Sequence, residues 1–191
     1  MKETVIDLIR HGEPQGGKRF RGYNIDDPLS EKGWQQMWDA VGEDAPWDQI
    51  ITSPLERCQA FAEALMDVYK RPCEMEERFK EVGFGRWEGR TPDETKEDSI
   101  KEYQDFYLDP VNKRPDGAED LNKFIKRVKT AYEKAVEKHQ GKHILIVAHA
   151  GVNRAIIANA LHTAPIGLYR IKVNNAGISR LKNDHLGDNL L

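Results

Sequence analysis

Cysteine is scarce: Cys58 and Cys73 are the only two in 191 residues. That scarcity excludes a disulfide-stapled scaffold, and their separation is not that of a zinc-ligand pair. Both read as free thiols in a reducing compartment, which points to a cytoplasmic location. No apolar run approaches membrane-spanning length, so no membrane partner is expected. No run of Lys and Arg forms a basic patch and the net charge is −3, so no nucleic-acid partner is expected either. An anionic ligand would need a local cationic pocket instead. Residues 1–9 are too few and too charged for a secretory leader. There are no repeats, low-complexity tracts or Gly/Ser linkers, so residues 1–191 read as one domain. No carboxylate cluster reads as a magnesium site, and neither a metal nor a cofactor is expected.

The chain does hold a globular composition, 39% hydrophobic and 32% charged, with enough length for a sizeable core. Strand-like and helix-like segments alternate, which predicts an α/β layered fold. Residues 4–9 form a β-branched run and 144–147 the purest apolar one; with 48–52 and the weaker 72–76 they are the candidate strands. Residues 30–41 read as a helix capped by Ser30. Ser53-Pro54-Leu55-Glu56 carries the marks of a helix start, with Ser53 as N-cap, Pro54 at the first position and Glu56 completing a capping box. That helix is expected to reach Tyr69. Residues 92–108 read as one helix, and 118–139 as an amphipathic one, on the spacing of Leu121, Phe124, Val128, Tyr132 and Ala135. Residues 152–161 are helical, 169–173 and 177–181 are late strands, and the polar tail from Lys182 is expected to be loose.

Two apolar strands end alike. Ile6-Asp7-Leu8-Ile9 runs into Arg10-His11-Gly12, and Ile144-Leu145-Ile146-Val147-Ala148 into His149-Ala150-Gly151. Ligands of open α/β sheets bind beyond the carboxyl ends of strands. If the strands are neighbours, both imidazoles face one mouth, and Arg57, early in the helix after residues 48–52, points at the same rim. This is the equipment of phosphoryl transfer. Guanidinium forks hold phosphoryl oxygens, and their hydrogen bonds strengthen as charge develops there. Nearby cations keep one histidine, His11, neutral for attack, while His149 donates to the phosphate. Glu81 is the candidate acid for the leaving alkoxide, with Glu13 and Glu88 as rivals. Taken singly, each residue has a plainer reading: a strand-end histidine is usually structural, and Arg57 or Glu81 alone is a solvated surface charge. Their convergence on one rim is the argument.

Six segments in order then resemble the histidine phosphatase superfamily, the phosphoglycerate mutase-like proteins. They are Leu8-Ile9-Arg10-His11-Gly12-Glu13, Asp27-Pro28-Leu29-Ser30-Glu31-Lys32-Gly33, Ser53-Pro54-Leu55-Glu56-Arg57, Glu81-Val82-Gly83-Phe84-Gly85-Arg86-Trp87-Glu88-Gly89, Asp116-Gly117-Ala118-Glu119 and Val147-Ala148-His149-Ala150-Gly151-Val152. The resemblance implies a three-layer α/β/α sandwich with a mostly parallel sheet. It implies His11 as phosphorylated nucleophile, Glu81 as proton donor, and Arg10, Arg57 and His149 as phosphate binders. Gly12 and Ala150, each following a histidine, complete the expected substrate-binding set. Where many members carry Ser or Thr and then Asn after the His-Gly-Glu, this chain has Pro14-Gln15-Gly16-Gly17-Lys18. Lys18, Arg19 and Arg21 are the available substitutes, against a plainer role as solvated loop cations.

The compact chain and its Phe84–Glu88 segment most resemble the α-ribazole phosphatase branch of cobalamin nucleotide-loop assembly. The expected activity is therefore metal-independent hydrolysis of a small-molecule phosphate ester, with α-ribazole 5'-phosphate as the specific candidate. A phosphoglycerate mutase-type phosphotransferase, a phosphohistidine-protein phosphatase and a non-catalytic phospholigand binder are the alternatives. Residues 90–118 are expected to cap the pocket as a lid. Tyr103, Phe106 and Tyr107 share a helical face there, available either to stack on a substrate ring or to pack the lid down. Trp34 and Trp38, a turn apart, fit a homodimer face or, more simply, the core.

Overall fold

A computed structural model describes residues 2–191. Strands β1 (Thr4–Arg10), β2 (Gln49–Thr52), β3 (Cys73–Met75), β4 (His143–Ala148), β5 (Ile178–Asp184) and β6 (Gly187–Leu190) form one sheet in the order β3-β2-β4-β1-β5-β6. The first four run parallel, β5 runs antiparallel to β1, and β6 turns back antiparallel to β5. Helices α1 (Glu31–Val41) and α2 (Glu56–Tyr69) cover one face. Helices α5 (Leu121–Lys138) and α6 (Ala150–Ala160) cover the other. The central strands divide their side chains by strict alternation. Ile144 and Ile146 enter the core with α5 and α6, while Leu145 and Val147 enter the core with α1 and α2. The fold is thus the three-layer α/β/α sandwich that the sequence implies.

Helix α1 begins where expected, with the Ser30 side chain accepting from the Gly33 N–H. Trp34 and Trp38 are partly buried and pack on Phe61 at the edge of the core under α1 and α2. Both cysteines are free thiols.

Four expectations are corrected. Helix α2 starts at Glu56 with Leu55 as its cap residue and no side-chain cap, because Ser53 is engaged elsewhere. Residues 92–108 are two helices, α3 (Pro92–Asp98) and α4 (Ile100–Leu108). Ser99 takes an extended conformation, ends α3 and caps α4 by accepting from Glu102 N–H. Residues 169–173 are not a strand. A tight helical stretch, Pro165–Arg170, occupies the first part, opened by a proline at its N-terminal turn. Finally, the tail from Lys182 is ordered, for β5 continues to Asp184 and turns back as β6. Tyr132 donates its hydroxyl to Asp188, and Lys182 pairs with Glu3. The tail is polar because it lies at the wet edge of the sheet, not because it lacks structure.

One acid sits inside the sheet. Asp7, 1% exposed on central β1, faces Arg180 directly across on β5. It accepts two hydrogen bonds from that guanidinium, one from Trp47 Nε1 at 2.8 Å, and meets His143 Nε2 at 2.9 Å. Burial opposes its ionisation, but Arg180, Trp47 and His143 outweigh burial and hold the carboxyl below its ordinary pKa. Because the folded pKa is the lower one, this stabilisation is complete above the unfolded value of about 3.9 and is lost as pH falls through the folded one. Asp7→Ala removes the acceptor and leaves the buried Trp47 N–H without a partner, while half-exposed Arg180 turns to solvent. It is expected to cost about 1–3 kcal/mol in urea unfolding at pH 7. The difference from wild type should shrink on acidification below pH ~4; a gap that stays constant to low pH would refute this role.

Candidate active site

Strands β1 and β4 pair in register, Arg10 opposite Ala148. The two histidines therefore leave the sheet together, and His11 N–H donates to Ala148 O at 2.9 Å. Their rings meet edge-on with centroids 5.2 Å apart. Both are buried.

The segment after β1 is pressed against the start of α1. A Cβ on Gly12 would collide with the Gly33 backbone, and one on Gly33 with the Glu13 backbone. Only two glycines allow that approach. The reward is orientation. The Gly12 carbonyl lies 2.7 Å from His11 Nδ1 and can only accept, so Nδ1 carries the proton and the Nε2 lone pair is free. Burial first, then the Arg57 and Arg10 charges, push the His11 pKa well below its ordinary value. The ring is therefore neutral at neutral pH, with Nε2 unprotonated.

Ser53 does for His149 what Gly12 does for His11. Its Oγ lies 2.7 Å from His149 Nε2 and accepts from Leu55 N–H at 3.3 Å. Cys58 Sγ closes the same side of the ring, 3.6 Å from Nε2 and 3.8 Å from Nδ1. Burial, Arg57 and the neighbouring His11 also keep His149 neutral. The Ser-Pro signature is thus a histidine support and not a helix cap.

Two guanidinium groups flank the histidines. Arg57, in the first turn of α2 and 1% exposed, donates to the carbonyls of Ile25 at 3.0 Å and Gly22 at 2.9 Å. Arg10 donates to the Val173 carbonyl at 2.8 Å. The Nε–H of each is buried without an acceptor. Burial, and then the field of Arg154, Arg57 and Arg21 against that of Glu81, brings the Arg10 pKa down to about 10, so the group remains charged at pH 7. Two orphaned, charged donors beside a neutral imidazole describe a place for an anion.

The three candidate acids separate clearly. Glu88 accepts from Phe84 N–H and does not line the cavity. Glu13 lines it but is paired with Lys32 at 3.0 Å. Glu81 lines it with no cationic side chain bonded to its carboxylate, whose oxygens accept from Val82 N–H at 2.9 Å and Gly151 N–H at 3.1 Å. The second bond ties it to the first turn of α6, where a Cβ at Gly151 would collide with the carboxylate.

The cavity measures about 470 Å³ and has Arg10, His11, Arg57, Glu81 and Ala150 in its wall. His149 stands behind His11, fully buried, and Gly12 acts through its carbonyl rather than as lining. Of the loop cations, Arg21 is a brace, bonded to Asp27 and to the carbonyls of Gly17 and Gln15. Arg19 donates to the Gly16 and Gly89 carbonyls, and Lys18 is exposed on the rim. Phe106 is fully buried, whereas Tyr103 and Tyr107 reach the cavity, so the helical face both packs the lid and lines the pocket. Sequence reasoning missed Arg154, Tyr169, Asn174 and Asn175, which also line the cavity. Arg154 had a signal, since it follows Ala150 by one helical turn.

Known proteins resemble this chain in sequence and fold. A family model, the histidine phosphatase superfamily (branch 1), matches residues 6–191. The chain belongs to that superfamily. Among relatives, the adenosylcobalamin/alpha-ribazole phosphatase of Salmonella typhimurium is 27% identical over 170 residues, 87% of this chain and 84% of that protein. The bifunctional protein Rv2228c of Mycobacterium tuberculosis is 27% identical over 180 residues, 92% of this chain, and this chain spans about half of its length, 49%. The solved structure of Bacillus stearothermophilus YhfR is similar with a TM-score of 0.87 at 26% identity, covering 98% of this chain and 95% of that one.

Ring nitrogens report the tautomers directly. In 15N NMR at pH 7, His11 is expected as the neutral Nδ1–H form and to stay neutral as pH falls through 6.5, its ordinary pKa. Ser53→Ala should shift the His149 tautomer pattern and cost about 1–3 kcal/mol, the penalty of an unsatisfied buried acceptor. A His11 that titrates with its ordinary pKa, or a His149 spectrum indifferent to Ser53, would contradict these assignments.

Proposed function

We propose that this chain is a metal-independent phosphatase of small-molecule phosphomonoesters, acting through phosphohistidine at His11. The observation that carries the reading is the His11 Nε2 lone pair, freed by the Gly12 carbonyl and set beside two unpaired guanidinium donors. Superfamily relatives named as phosphatases support the class of reaction.

In the first step Nε2 of His11 attacks phosphorus as the ester P–O bond breaks. Arg10 and Arg57 donate to the equatorial oxygens, where charge gathers in the transition state. The N-terminus of α6, with Ala150 in the cavity wall, favours the dianion through the helix dipole. Glu81 protonates the departing alkoxide. In the second step its carboxylate takes a proton from water, which attacks the phosphohistidine and releases inorganic phosphate. The guanidinium groups supply the cationic charge that a divalent ion supplies elsewhere. Residues 90–118 set the choice of leaving group through Tyr103 and Tyr107.

A narrower reading names α-ribazole 5'-phosphate as the substrate. The relative from Salmonella typhimurium and the aromatic lining favour it.

A turnover screen without added metal tests the proposal. His11→Ala should abolish phosphate release from p-nitrophenyl phosphate and from α-ribazole 5'-phosphate alike; near-normal activity in that variant would falsify the mechanism. Preference for α-ribazole 5'-phosphate over the generic ester supports the narrower reading. A stable phosphohistidine that needs a bisphosphate primer would favour the mutase alternative. Arg57→Ala should lose about 10²–10³ in turnover, as for one transition-state donor. Glu81→Gln should slow an alkyl ester far more than p-nitrophenyl phosphate, whose leaving group needs little protonation. Equal loss on both esters would remove Glu81 from the role of acid.

A further inference from the structure

Glu81 stands on a stretch that cannot hold itself. Residues 81–83 belong to no helix or strand, yet Glu81 is buried in the cavity wall. Backbone groups without a ladder of their own must find partners elsewhere. Here the partner is Arg127, which projects from α5 and does not line the cavity.

A guanidinium carries five N–H groups, and Arg127 commits all of them. Nη1 donates to the carbonyls of Arg78 at 2.5 Å and Lys80 at 2.9 Å. Nη2 donates to the Glu81 carbonyl at 3.1 Å. The other two form a paired bond to both oxygens of Glu119, from Nε at 2.8 Å and Nη2 at 3.0 Å. Glu119 in turn holds Gly83. Its Oε2 accepts from Gly83 N–H, and its own N–H donates to the Gly83 carbonyl, each at 3.1 Å. One ion pair therefore grips the chain at Glu81 and again two residues later. The guanidinium also lies 4.8 Å over the ring of Phe124, a fully buried residue, which fastens the clamp to the core.

The choice of atoms matters for acid chemistry. A guanidinium bonded to the Glu81 carboxylate would hold that group ionised and leave it no proton to give. Arg127 binds the Glu81 carbonyl instead, and its charge is matched by Glu119. The carboxylate meets only the N–H groups of Val82 and Gly151. Its position is thus set through the backbone, by a cation that does not compete for its proton. A general acid must come within about 3 Å of the leaving oxygen, and a misplacement of about 1 Å can cost about 10² in rate.

We infer that Arg127, paired with Glu119, is the positioning residue of the proton donor, fixing the Glu81 backbone so that the carboxyl reaches the leaving oxygen. The inference rests on the phosphatase reading with Glu81 as its acid. It assigns Arg127 to protonation of the departing alcohol and not to the binding of phosphate.

Two esters and one amide test it. Arg127→Met should lose at least about tenfold more kcat on glycerol 3-phosphate than on p-nitrophenyl phosphate, with KM nearly constant. In a Glu81→Gln background the same change should add little, because the acid is already gone. Arg127→Lys should recover part of the loss, keeping charge without the fork. Glu119→Gln keeps an acceptor for Gly83 N–H; it should shift the ester ratio in the same direction and serves if Arg127→Met does not fold. Hydrogen exchange at the Gly151 amide, which donates to the Glu81 carboxylate, should quicken in Arg127→Met by more than exchange at Leu145 on β4. An equal loss on both esters, or a full further loss in the Glu81→Gln background, would make the pair a structural brace and overturn the inference, while His11-dependent turnover keeps the phosphatase reading. If wild type releases phosphate from neither ester, the phosphatase reading falls and the amide decides. Selective release of Gly151 then keeps Arg127 as the anchor of Glu81, and unchanged protection removes it.

Discussion

The site depends on cations that are aimed by neutral acceptors. Arg57 is fixed by the carbonyls of Gly22 and Ile25, and Arg10 by that of Val173. A carbonyl orients a guanidinium without cancelling its charge. The carboxylate nearest to Arg57, on Asp26, is half-exposed and 3.8 Å away. A tight carboxylate partner would compete with any incoming anion and weaken the local field. Here the field persists and acts on its neighbours. Together with burial, it holds His11 and His149 neutral and leaves donors unspent in the interior. Such groups are costly to bury, so the surrounding layers must carry the stability.

That division of labour runs through the fold. The apolar alternation of β1 and β4 fixes the register, and the register brings the histidines to one level. Asp7 satisfies one buried polar cluster completely, near the middle of β1. Three residues further along the same strand, the chain leaves a buried donor of Arg10 open. The contrast between a closed polar network and an open one separates structural charge from charge available to a ligand.

Much of this was legible in the sequence because period-2 alternation and strand-end histidines are local signals. The α/β layering and the rim carrying Arg10, His11 and Arg57 follow from them, whereas the three-layer arrangement, the mostly parallel sheet and the choice of Glu81 rest on the family resemblance. Errors arose where a tertiary partner outbid a local one. Ser53 has the chemistry of a helix cap, but His149, ninety-six residues away in sequence, takes its hydroxyl. Residues 169–173 have strand composition, but Pro165 and the packing of Tyr169 on Phe106 impose a tight helical turn first. The tail looked loose because its strands are solvated, and Tyr132 and Glu3 are partners that no local pattern announces. Arg154 and the Asn174-Asn175 pair enter the wall from segments that carry no motif.

The mutual approach of Gly12 and Gly33 has a consequence for how the protein tolerates change. The turn that carries the chain from His11 to α1 is keyed by backbone against backbone, with no side chain at that contact to enlarge, shrink or recharge. The outer end of the cavity is built from the side chains of α3, α4 and the Pro165–Arg170 turn, joined by aromatic packing and by surface pairs such as Arg86 with Glu102. Substitutions there reshape the volume around a leaving group while the position of His11 stays anchored to α1. The molecule is divided into a rigid half that resists variation and a plastic half that absorbs it. A library confined to the plastic half would explore substrates without disturbing the chemistry.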